Sequence, residues 1–78
     1  MPVPWPQQVE EVVTSALMLA RARGRIAAVR VGVPRDIAIE PVVAMLRSRL
    51  AACGHPGSEV VTLLATGPMR LISAEFER

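Results

Sequence analysis

A thiol and an imidazole stand two residues apart in Cys53-Gly54-His55. Such a pair suggests a nucleophile with its base, or two ligands of a metal site. A nucleophile also needs a group to orient the base, and a metal site needs three or four ligands. The chain holds one cysteine and one histidine, so no further Cys or His can complete either set. Cys53 falls on the apolar stripe expected for a second helix, where a thiol packs as a small hydrophobe. His55 then reads as an exposed turn residue. No catalytic, cofactor-binding or metal-ligating residue is expected here.

Asp36 and Glu40 are the next chemical candidates. They follow the first expected strand, at the end where open α/β sheets bind ligands. A small enzyme or ligand carrier would use this loop. No glycine-rich phosphate loop accompanies it, because Gly32 stands alone in Val31-Gly32-Val33-Pro34. A turn and helix-start role suits these residues better.

All nine basic residues are arginines, and seven of them lie between Arg21 and Arg49. Arg21, Arg25, Arg30, Arg35, Arg47 and Arg49 are candidate phosphate contacts for a nucleic-acid- or ribosome-associated domain. A net charge of +2 is far below the balance of a dedicated nucleic-acid binder. The aromatic content of one Trp, one Phe and no Tyr gives little for base stacking. A solvated, arginine-rich face is the favoured reading.

Removal of Met1 would expose Pro2 as a secondary amine. In this Met1-Pro2 resembles the short oxalocrotonate-type tautomerases, whose N-terminal proline is a general base. That family begins a strand at its proline, whereas Pro4 and Pro6 preclude a central strand here. Val29-Arg30-Val31-Gly32, a short loop and a proline-initiated helix resemble a stretch of hydrogenase nickel-insertion metallochaperones. Those begin Met-His-Glu and carry a four-cysteine zinc domain, which this chain lacks. The element order also resembles Smr-type nuclease domains, whose His-Gly-x-Gly motif would fall near Gly32. The last two likenesses concern topology, which does not transfer function.

The elements themselves are legible. Residues 1–5 form a proline-rich extended leader, and residues 6–78 one domain. Val9, Val12, Val13, Ala16, Leu17 and Ala20 recur at helical spacing, which predicts a helix over Pro6–Arg23, closed by Gly24. Trp5 is expected to fold back on its first turn. A strand follows over Arg25–Val33, with Ala27, Val29, Val31 and Val33 toward the helices. Pro41 is expected to open a second helix reaching Cys53 and burying Val43, Leu46, Leu50 and Cys53, with Ile39 alongside. Strands are expected over Glu59–Thr66 and Arg70–Glu77, and their short connection suggests an antiparallel hairpin. The fold class is α/β, a two-layer sandwich in the order α-β-α-β-β. Its three-stranded mixed sheet carries two helices on one face.

This architecture leaves an imbalance. The chain has 78 residues, of which 51% are apolar, and its mean hydropathy is +0.37. A domain this small buries only roughly 60–65% of its unfolded surface. No charge-free run approaches the ~18–20 apolar residues of a membrane span. The N-terminus lacks the regions of a signal peptide, so a cytoplasmic location is expected. Two helices cover one sheet face and leave the other for a partner. Ile26, Ala28 and Leu71 are expected on the open face. With them goes one of two alternating sets of the second strand, Val60/Thr62/Leu64 or Val61/Leu63/Ala65, with Val60 and Leu64 taken as the interface residues. A non-enzymatic module forming a homodimer is the function expected, a heterologous protein partner satisfying the same physics.

Overall fold

Five segments fold in the order α1 (Trp5–Arg23), β1 (Arg25–Pro34), α2 (Ile39–Ala52), β2 (Glu59–Ala65) and β3 (Arg70–Glu77). The computed structural model describes residues 4–77. Pro2 and most of the expected leader lie outside the described residues. No described helix is long and apolar enough to cross a membrane.

The sheet is three-stranded and mixed, in the order β2-β1-β3. β1 runs parallel to β2 and antiparallel to β3. Both helices pack on one face, around a single apolar core. The expected β2–β3 hairpin is therefore wrong, since β1 lies between these strands. β1 carries the most buried side chains of the three strands, Ile26, Val29, Val31 and Val33, and the centre of the sheet is where both edges of a strand are covered. The connection over residues 66–69 spans two strand spacings, about 10 Å. It is pinned at Met69, whose buried N–H donates to Gln8 Oε1 on α1 at 2.8 Å.

α1 buries Val9, Val12, Val13 and Ala16, while Leu17 and Ala20 are partly covered. It starts at Trp5, one residue before the expected start, with Pro4 as its N-cap. The Pro4 carbonyl accepts the first helical bond from Gln8 N–H at 3.2 Å and also the N–H of Gln7 at 3.1 Å, a donor that a helix start otherwise leaves open.

α2 starts at Ile39, two residues before Pro41. Its buried stripe is Val42, Leu46 and Leu50, with Val43 partly covered and Ile39 exposed. Cys53, expected in the core, is exposed. The reason lies in how the helix ends. His55 N–H donates to Leu50 O at 2.8 Å and Gly54 N–H to Ala51 O at 3.2 Å, the two bonds of a Schellman motif. Gly54 holds φ of +91°, a conformation that glycine adopts without strain. The chain thus turns away at Cys53, and the helical stripe stops at Leu50.

β1 departs from simple alternation. Its register against β3 shifts between Ile26 and Ala28, and again between Arg30 and Val31. Ala27 and Ile72 are the extra residues of these two bulges. A bulge changes which face a side chain takes. Ile26 therefore joins Val29, Val31 and Val33 in the core, in place of Ala27, and is fully buried.

Candidate interaction surface

The sheet face away from the helices is built from alternate residues of all three strands. Register places Ala28, Arg30 and Gly32 of β1 beside Glu59, Val61 and Leu63 of β2. The same β1 residues lie beside Glu75, Ser73 and Arg70 of β3. Both helices occupy the opposite face, so among the described residues no element covers this one.

The face has two halves. One is polar. Arg30 Nη1 donates to Ser73 Oγ at 3.3 Å, and Nη2 to Glu75 Oε1 at 3.2 Å. The other half is apolar and centres on Gly32. A Cβ there would lie 2.9 Å from Ala65 Cβ and 3.3 Å from Ile72 Cδ1. The missing side chain lets β2 and β3 bring apolar groups together over β1. Leu63 (43% exposed) and Ile72 (47% exposed) border this half, with Val61 and Ala65 partly covered.

The outer edge of β2, unpaired among the described residues, adjoins the apolar half. Leu64 faces the helix side, beside Val33 in register, yet it is 70% exposed. A groove of about 140 Å³ runs there between Leu64, Leu63, Ile37 and Ile39. Apolar side chains thus flank this edge on both faces of the sheet.

The expected interface set is redrawn accordingly. Ile26 and Val60 belong to the core; the bulge at Ala27 turns Ile26 inward, and Val60 pairs with the buried Val29. Leu71 pairs with Val31 and packs against the core. Leu64 is exposed, but on the helix side. Ala28 alone takes the open face as expected. Val61, Leu63, Ala65 and Ile72 complete it. The second-strand alternative Val61/Leu63/Ala65 is the outward one, and Ile72 is turned outward by its bulge.

The six candidate arginines do not form one patch. Arg30 lies on the open face, whereas Arg47 and Arg49 belong to α2 on the other. Arg25 and Arg35 bracket β1, whose ten residues span roughly 33 Å, and Arg21 lies in the last turn of α1. Among the described residues, three of them have carboxylate partners: Arg25 with Glu77 at 3.4 Å, Arg30 with Glu75 at 3.2 Å and Arg49 with Glu10 at 2.6 Å.

His55 is partly buried rather than an exposed turn residue. Its Nδ1 accepts from Ile26 N–H at 3.0 Å. Ser58 Oγ lies 2.7 Å from Ile26 O and 2.9 Å from His55 O, sharing its proton between them. Asp36 lines a cleft of about 850 Å³ with Trp5, Gln8, Glu11, Ile37 and Pro68, at the end of β1. Among the described residues, no three or more His, Cys, Asp or Glu side chains stand together as a possible metal site. Comparison with protein-family models, with curated proteins and with solved structures finds no match.

Proposed function

We propose that this chain is a small self-associating interaction module, and that it binds a second copy of itself through the β2 side of its sheet. The observation that supports this reading most is the placement of apolar side chains around β2. Leu63 and Leu64 are exposed on opposite faces of one edge strand, with the partly covered Val61 and Ala65 beside them. Contiguous apolar surface of this kind marks interaction sites on soluble proteins. Its burial contributes about 25 cal/mol per Å², opposed by the entropy of association.

Size-exclusion chromatography with light scattering tests the reading. The expected result is a mass approaching twice the 8.4 kDa of one chain, with a mass that falls on dilution. A constant 8.4 kDa at all concentrations would overturn it.

A further inference from the structure

We infer that two copies join by antiparallel pairing of their β2 strands about a two-fold axis at Thr62, forming one continuous six-stranded sheet. The inference rests on the self-association reading and adds its geometry. Three observations carry it.

The first is the contrast between the two sheet edges. β3 carries Arg70, Glu75 and Glu77, and its ladder with β1 shifts register twice. Charges and bulges are the devices that keep an edge strand from pairing. β2 has neither along most of its length. It reads Glu-Val-Val-Thr-Leu-Leu-Ala, and its register with β1 runs unbroken from Glu59 to Ala65.

The second is self-complementarity. With Thr62 opposite Thr62 of the second copy, Val61 meets Leu63 and Val60 meets Leu64. Opposed residues share a face, so valine packs on leucine on both faces of the sheet. Glu59 falls opposite Ala65, and the two copies of Glu59 lie about 20 Å apart. No like charges are opposed. This symmetry favours a second copy over an unrelated strand.

The third disfavours stacking of the open faces. That packing would take Arg30, Ser73 and Glu75 out of water together with the apolar half. Arg30 and Glu75 are both substantially exposed now, and their desolvation would oppose the stack. Pairing along the edge leaves them hydrated.

A symmetric crosslink tests the geometry. Thr62→Cys is made with Cys53→Ser, so that position 62 holds the sole thiol. Thr62 lies on the helix side, paired with Val31, and two copies of it meet only if the edges meet. Mild oxidation is expected to produce a covalent dimer much faster than in a Ser15→Cys, Cys53→Ser control. A second comparison applies if the Thr62 variant does not fold. Leu64→Lys, an edge charge, is expected to weaken dimerisation about tenfold or more, and Ile72→Glu less than about threefold. Crosslinking no faster than the control, or dissociation by Ile72→Glu with Leu64→Lys harmless, would overturn β2 pairing while the wild-type dimer persists. A monomeric wild type would overturn both this inference and the reading beneath it.

Discussion

Nδ1 of His55 lies 3.0 Å from the backbone nitrogen of Ile26 and accepts its hydrogen bond. Ser58 serves the carbonyl of the same residue at 2.7 Å. Ile26 therefore has both backbone groups paired at a point before β2 begins, so the loop from α2 substitutes for a strand. The Schellman turn at Gly54 sets His55 in place for this task.

His55→Ala is expected to leave the Ile26 N–H without that partner. The cost of such a group is about 1–3 kcal/mol, and each kcal/mol lowers Tm by roughly 4–8 °C in a domain of this size. Thermal and urea unfolding read this directly. An unchanged Tm would show that water replaces the imidazole at no cost.

Gly32 gives a second, coupled prediction. A methyl group there collides with Ala65 Cβ, while Ile72 Cδ1 is the movable end of a side chain. Gly32→Ala is expected to destabilise by about 1–3 kcal/mol, the range for overpacking. Much of that loss should return in Gly32→Ala with Ala65→Gly, beyond what the two single changes sum to. Strict additivity would contradict the contact.

Leu50 tests the helix layer. It is 1% exposed at the last buried turn of α2, and its carbonyl accepts the closing bond of the Schellman motif. Leu50→Ala should cost about 2–5 kcal/mol, and denaturant midpoints would measure it. Cys53→Ala, at an exposed position, should change stability by less than about 0.5 kcal/mol. A larger loss at Cys53 would restore it to the buried stripe.

The sequence carries most of this fold. Val9, Val12, Val13 and Ala16 recur at a spacing only a helix makes one-sided, and all four are buried. Gly24 and Gly54 punctuate the helices where expected. The interface residues are less legible, for a specific reason. Periodicity gives the alternation of a strand but not its phase against a neighbour, and one inserted residue reverses that phase. Ala27 and Ile72 are such residues. They turn Ile26 inward and Ile72 outward. Strand order was also hidden, because a four-residue connection serves a hairpin or a step across β1 equally well. His55 left no signal, since its partner lies 29 residues away.

The central claim, that β2 carries the association, is tested most directly by hydrogen exchange of its backbone amides at several protein concentrations. The outward amides of Glu59–Ala65 should exchange slowly in concentrated solution and lose that protection on dilution, with β3 unaffected. Rapid exchange of those amides at every concentration would contradict it.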